Sequence, residues 1–361
     1  MAGHILLAGY LGAGNLGDDA VMLGFVHGLG SLGYDVSVMS GSPEETYRLY
    51  GFHSIQRRDM KAFEEILPKV DALVFPGGSI FQDVTSVKSA MYYSQLVKKA
   101  KSAGKKVILV GQGVGPLNSF LGKRAAAAAF NAADAIAVRD PASLQTLKNI
   151  GVSRNVRVTA DSAYLMPPPT TADDAPEFAV GQMKSVGISA RPIKDRKVDV
   201  ASLFADFCRM LYQSGSMPVL IEMDRNEDGP LILEISKRQG GKVPDLRKVT
   251  TPMQLQGRLA RMDALVAMRL HAGILAATVG IPPVMIGYDP KVNAFAHSLD
   301  VGAALPLDGL SAGRMLEAFL QSQKDRDRNA KIVTRKLEEL VKAAEGNIEL
   351  TRDTMESTVR R

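Results

Sequence analysis

An arginine and a histidine one residue apart, in Arg269-Leu270-His271, stand between a short apolar run and a helix-forming stretch. The run Ala264–Ala267 predicts a buried strand, and Ala272–Val279 predicts the helix that follows it. Their junction is then the carboxyl end of a strand in an open α/β sheet, where ligands bind against a helix N-terminus. A fixed cation beside an imidazole suits a small anionic substrate that must also exchange a proton. Arg269 and His271 are therefore candidate catalytic residues, with Leu270 a candidate substrate contact. An isolated Arg more often pairs with a surface carboxylate, and an isolated His more often caps a helix. The other strand ends weigh against that plainer account.

Gly9-Tyr-Leu-Gly12-Ala-Gly14-Asn15-Leu-Gly17-Asp18-Asp19 follows the first strand and opens a helix. Its glycines allow close backbone approach to a ligand, but Asp18 and Asp19 place negative charge at the helix entry. They would repel a pyrophosphate and can hydrogen-bond sugar hydroxyls, so a dinucleotide site is not expected here. Gly12, Asn15, Asp18 and Asp19 are candidate site residues. Phe75-Pro-Gly77-Gly78-Ser79-Ile-Phe-Gln82-Asp83 repeats the design at another strand end, adding Gly77, Gly78, Gln82 and Asp83. Gly111-Gln-Gly113-Val-Gly115-Pro116 adds Gly113, and Arg139-Asp140 adds Arg139. Later in the chain Ser189-Ala-Arg191 and Tyr288-Asp-Pro-Lys291 supply two further cations, Arg191 and Lys291. The other histidines lie in elements or ordinary loops. No His, Cys or Asp cluster has metal-ligand spacing, and no Walker or Gly-x-Ser-x-Gly loop appears. Neither a metal nor a cofactor is expected.

These loops need elements to hold them. Strands at 4–9, 35–40, 72–75, 106–112 and 135–138 alternate with helices at 18–32, 87–103, 118–133 and 141–150. A Pro-rich polar stretch beginning at Met166 interrupts the pattern. Alternation resumes with strands at 185–189, 217–222, 264–267 and 283–286 and helices at 198–214, 229–239, 252–261 and 272–279, then a helical tail with Leu337, Leu340 and Val341 on one face. The expected class is α/β: two doubly wound Rossmann-like domains facing a cleft, with a helical C-terminal tail. Expected boundaries are 1–166, a linker at 167–180, 181–310, and tail helices at 311–361.

The chain has 361 residues, of which 46% are hydrophobic and 23% charged, as in ordinary soluble enzymes. No apolar run reaches the ~20 residues that span a bilayer, and Met-Ala-Gly-His lacks the basic start of a signal peptide. One cysteine, Cys208, excludes an internal disulfide and fits a reducing compartment. A cytoplasmic protein is expected. The net charge of +6 with only 6% aromatics argues against nucleic acid and for small anions or anionic lipid. The lysines at 98, 99, 101, 105 and 106 are the expected basis of a peripheral contact with the inner membrane face.

In order, these strand-end sequences resemble the polysaccharide pyruvyl transferase family, and most closely its CsaB branch of cell-wall enzymes. The pieces are Gly12-x-x-Asn15-x-Gly17-Asp18-Asp19, Pro76–Asp83, Gly111–Pro116, Arg139-Asp140 with Ser143 and Leu147, Ser189-Ala-Arg191-Pro192, and Arg269-Leu270-His271-Ala272. Ser79 departs from the pattern, since such proteins often carry a third glycine there. The resemblance implies a GT-B-like fold and transfer of pyruvate from phosphoenolpyruvate (PEP) to a sugar as a ketal. For this branch the acceptor would be N-acetylmannosamine in a lipid-linked cell-wall polymer precursor, whose product is recognised by S-layer homology domains. PEP would lie against the second domain and the sugar against the first. Arg191, Arg269 and Lys291 would hold the carboxylate and phosphate, His271 would protonate the PEP methylene, and Asp18 or Asp83 would take the sugar proton. Two competing readings share the fold: a glycosyltransferase using a nucleotide sugar, and a non-catalytic cell-wall regulatory protein.

Overall fold

The computed structural model describes residues 3–84, 86–169, 183–193, 198–241 and 243–357. From residue 170 onward the expected linker falls outside them. Two compact units emerge: residues 1–13, 18–167 and 340–361 form the first, and 14–17 with 168–339 form the second.

The first unit contains β1 (His4–Leu7), α1 (Leu16–Leu29, whose first two residues belong to the second unit), β2 (Asp35–Ser40), α2 (Pro43–Tyr50) and β3 (His53–Gln56). It continues with α3 (Met60–Ile66), β4 (Ala72–Phe75), β5 (Gly78–Phe81), α4 (Val87–Ser102) and β6 (Lys106–Val114). Then come α5 (Phe120–Ala132), β7 (Ala135–Val138), α6 (Pro141–Asn149) and β8 (Arg157–Val158). All strand pairs are parallel, in the order β3-β2-β1-β4-β6-β7-β8, with β5 joined to β6. Strand β4 is buried along its whole length, as expected where helices cover both faces. Phe75, Phe81, Tyr93 and Phe130 pack ring against ring in the core. The segment α2–β3–α3 and strand β5 were not expected from sequence. Their runs are short, part-exposed or contain glycine.

The second unit contains β9 (Lys184–Ser189), α7 (Val200–Gln213), β10 (Ser216–Leu220), α8 (Asp228–Gln239), α9 (Pro252–Leu259) and β11 (Ala264–Ala267). After these come α10 (Leu270–Thr278), β12 (Pro283–Gly287), α11 (Pro290–Ser298), β13 (Leu305–Pro306), α12 (Ala312–Lys324) and α13 (Arg326–Glu356). Its parallel sheet runs β10-β9-β11-β12-β13. Caps fix the helix starts: Asp199, Thr251, Asp289 and Ser311 each accept a backbone N–H of the helix that follows.

The division into units follows contacts rather than chain order. Helix α13 contributes residues 326–339 to the second unit and 340–356 to the first. Its buried stripe is Val333, Ala344, Asn347, Ile348 and Thr351, while Leu337, Leu340 and Val341 are half-buried between them. Within the first unit Asn347 bonds Thr159, Ala160 and Ser162, and Lys106 Nζ caps the end of α13 on the carbonyls of Thr354, Met355 and Ser357.

Candidate functional site

Strand order creates one switch point in each unit, and some of the candidate residues lie there. In the second unit β9 and β11 are neighbours whose following connections leave in opposite directions along the sheet. Arg191 follows β9 and Arg269 follows β11, so two residues far apart in sequence become adjacent. Their guanidiniums share Glu227 Oε2, at 3.3 Å from Arg191 and 2.9 Å from Arg269. Arg191 also donates to Tyr288 Oη at 2.8 Å and lies over that ring. Tyr288 follows β12, the next strand, and leads into Lys291 on the first turn of α11, 3.7 Å from Asp289. Ser189 Oγ and Arg191 Nε are buried donors with no hydrogen-bond partner among the described residues.

Arg269 is not an open surface cation. It is 9% exposed, and its Nε and Nη2 donate to the fully buried Asp228. Burial alone would lower its pKa, but Asp228, Asp224 and Glu227 hold it above the usual arginine value. Asp228 also accepts the backbone N–H groups of Met223 and Asp224, at 3.1 and 3.0 Å. Burial raises the Asp224 carboxyl above the usual range. Leu270 is buried at the start of α10.

His271 occupies the first turn of α10, half-buried. It packs on Gly17, where a Cβ would collide with the imidazole Nδ1. The loop is held there by backbone bonds from Leu16 to Met223 at 2.8 Å and from Arg225 to Gly14 at 2.8 Å. Asn15 completes it, accepting from Gly17 N–H at 2.9 Å and donating to Asp224 at 3.3 Å. Asn15 thus shapes the loop through contacts of its own.

In the first unit the switch point lies between β1 and β4. The glycine loop after β1 and Gly77-Gly78 after β4 meet there. Gly78 has φ +87°, and a Cβ on it would lie 3.1 Å from Asp18 Oδ1, so the carboxylate rests against bare backbone. Arg139 lies across Gly113, donating to Asp161 at 2.8 Å and to Ser79 Oγ at 2.9 Å. Desolvation pulls its pKa down, yet Asp161 and Asp140 outweigh it and keep Arg139 charged. Gln82 is half-buried just after β5.

Three expected ligand contacts are instead spent inside the fold. Gly12 sits under Ser40 and Thr46. Asp83 accepts from Asn118 N–H, Ser119 N–H and Ser119 Oγ, fastening the start of α5. These bonds overcome desolvation and hold its carboxyl below the usual range, which disfavours a role as base. Asp19 is buried and accepts from Gly12 N–H at 2.8 Å and Tyr50 Oη at 3.1 Å.

Burial pushes the Asp19 pKa up from 3.8 to about 7. Below 3.8 both folded and unfolded chains hold this proton; between 3.8 and about 7 only the folded chain does. Stability attributable to Asp19 is therefore present at the acid end of that window and is lost as pH rises through it, by about 1.4 kcal/mol per pH unit. Asp19→Asn, whose amide can still serve Gly12 and Tyr50, should flatten this slope. Urea midpoints across the window for both proteins test it, and parallel slopes would refute it.

The sequence model of the polysaccharide pyruvyl transferase family matches residues 15–290. The chain belongs to that family. No curated protein matches it by sequence. Among solved structures it is similar to the HepE protein of Anabaena in complex with UDP-glucose, at TM-score 0.65 and 13% identity, covering 98% of this chain and 100% of that one. It is also similar to UDP-GlcNAc 2-epimerase from Neisseria meningitidis bound to UDP-GlcNAc, at TM-score 0.64 and 10% identity over 96% and 98% of the two chains. Two parallel α/β sheets and the long C-terminal helix give this pyruvyl transferase a GT-B-like fold.

This pyruvyl transferase carries functional candidates that the sequence reasoning missed. Asp224, Glu227 and Asp228 follow β10, and Tyr288 follows β12. The signal was there: Glu222-Met-Asp224-Arg-Asn-Glu227-Asp228 puts four carboxylates directly after a strand. Asp161, partner of Arg139, is the other omission from the candidate set.

Proposed function

We propose that this family member transfers pyruvate from PEP to two hydroxyls of an N-acetylmannosamine residue in a lipid-linked cell-wall polymer precursor, as in the CsaB branch. The observation that carries the donor side is the grouping of Arg191, Arg269 and Lys291 at the ends of β9, β11 and β12, with His271 starting the helix after β11. The second unit would bind PEP and the first the sugar. Arg191 and Lys291 take the carboxylate and phosphate, with Arg269 completing the cationic field from its buried seat. The donor competes with Glu227 for both guanidiniums.

His271 donates a proton to the PEP methylene, converting CH₂ to CH₃ and leaving an oxocarbenium-like carbon. One sugar hydroxyl adds there and gives up its proton to Asp18. The carbon–oxygen bond to phosphate breaks, the second hydroxyl closes the ketal, and its proton leaves with inorganic phosphate. Two carbon–oxygen bonds form and one breaks, with no change in oxidation state.

Incubation with PEP and a synthetic lipid-diphosphate disaccharide should release phosphate and ketal in equal amounts. A nucleotide sugar in place of PEP should give no transfer. Nucleoside diphosphate release without any PEP turnover would replace this reading with glycosyl transfer.

A further inference from the structure

Four of the five lysines expected to meet a membrane are occupied elsewhere, and Lys98 is exposed. Lys99 pairs with Glu64, Lys101 with Asp134 at 2.6 Å, Lys105 with the Pro68 carbonyl, and Lys106 with the end of α13. A different surface stands out. Val84, just ahead of α4, and Phe120 and Leu121, in the first turn of α5, are 66%, 69% and 57% exposed. Asp83 fastens them together: its carboxylate holds Asn118 and Ser119, which brings the loop before α4 against the first turn of α5.

Lys88 stands in the first turn of α4, four residues after Val84, and Lys123 and Arg124 follow Leu121 in α5. All three are exposed, and none forms an ion pair among the described residues. Arg124 lies over the Phe120 ring at 5.6 Å. Helices α4 and α5 contain no acidic residue, and Asp83, the neighbouring carboxylate, is committed to the α5 N-terminus.

We propose that this surface docks the protein onto an anionic phospholipid bilayer. Projecting apolar tips ringed by cations are the pattern of an interfacial contact, in which rings and chains enter the headgroup boundary while basic heads meet phosphate. Charge complementarity selects lipid over a second copy of the chain. A two-fold contact through this patch would set cation against cation. No helix among the described residues is long and apolar enough to cross a membrane, so the contact is peripheral. The inference does not depend on the reaction proposed above.

Sedimentation of the full chain with phosphatidylglycerol–phosphatidylcholine vesicles, against phosphatidylcholine alone, tests it. The protein should bind the mixed vesicles at low salt and release at high salt. A Lys88→Gln, Lys123→Gln, Arg124→Gln variant should lose roughly fivefold in partitioning per residue removed. Phe120→Ser with Leu121→Ser should lose about tenfold or more. Lys99→Gln should bind as the parent does. All sites are exposed, and unchanged circular dichroism and melting confirm that the variants fold. Absence of binding to mixed vesicles at low salt, or binding untouched in both variants, overturns the proposal. So does a concentration-dependent dimer that Phe120→Ser abolishes.

Discussion

His271→Ala should reduce PEP-dependent turnover by ~10²–10⁴-fold while the protein keeps its fold. The residue lies in the first turn of α10, and alanine is the best helix former at such a position. Its imidazole is half-buried against Gly17 rather than embedded in either hydrophobic core, so truncation removes little packing. What it does remove is the proposed proton donor, at the strand end where Arg191 and Arg269 share Glu227. Circular dichroism and melting should match the parent, and PEP should still bind. Gly17→Ala approaches the same atom from the other side, because its new methyl group displaces the imidazole. It should lower turnover in the same direction with all catalytic groups present. Retention of more than about a tenth of the parental rate in His271→Ala would end the assignment of His271 as the acid.

The largest effect on stability is expected at the Arg269–Asp228 pair. Asp228 is fully buried and serves Arg269 and two backbone N–H groups, so Asp228→Ala leaves the buried guanidinium with Glu227 as its remaining carboxylate contact and strands two backbone donors. Breaking one side of such a pair costs about 3–5 kcal/mol. Replacing both partners with apolar residues, Arg269→Met with Asp228→Leu, removes the unbalanced charge but not the two unpaired backbone donors, so it should recover only part of that loss and no PEP turnover. Arg269→Lys isolates the other contribution: charge remains, the planar fork does not, and PEP use should weaken. Urea unfolding and phosphate release measure the two effects separately. An unchanged unfolding midpoint in Asp228→Ala would show that the pair contributes little to stability. Near-parental turnover in the double variant would remove Arg269 from donor binding.

Strand β11 and the positions of Arg269 and His271 around α10 were legible because an apolar run of four residues and a helical period are local signals. The same holds for the glycine turns after β1 and β4 and for β2, which repeat the expected design at strand ends. Segments with weak patterning were not legible: β5 contains a glycine at φ +87°, and β3 is half exposed.

Adjacent carboxylates in the first turn of a helix carry no local signal of which one will be sealed. Asp18 and Asp19 are adjacent and chemically identical, yet one rests on Gly78 backbone and the other is sealed beneath Gly12 and Tyr50. The lysines around the end of α4 looked like a solvent-facing cluster, and most turned out to be paired within the chain.

The sequence by itself determined the alternation of strands and helices, the glycines and charges at strand ends, and through their order the pyruvyl transferase family. Tertiary structure decided which of those charges meet. Strand order β10-β9-β11-β12 brings Arg191, Arg269 and Lys291 to neighbouring ends, and the turn after β10 delivers Glu227 and Asp228 to them. Element formation follows from burial patterns within a few turns of chain, whereas the partner of a buried charge is set by contacts between strands distant in sequence.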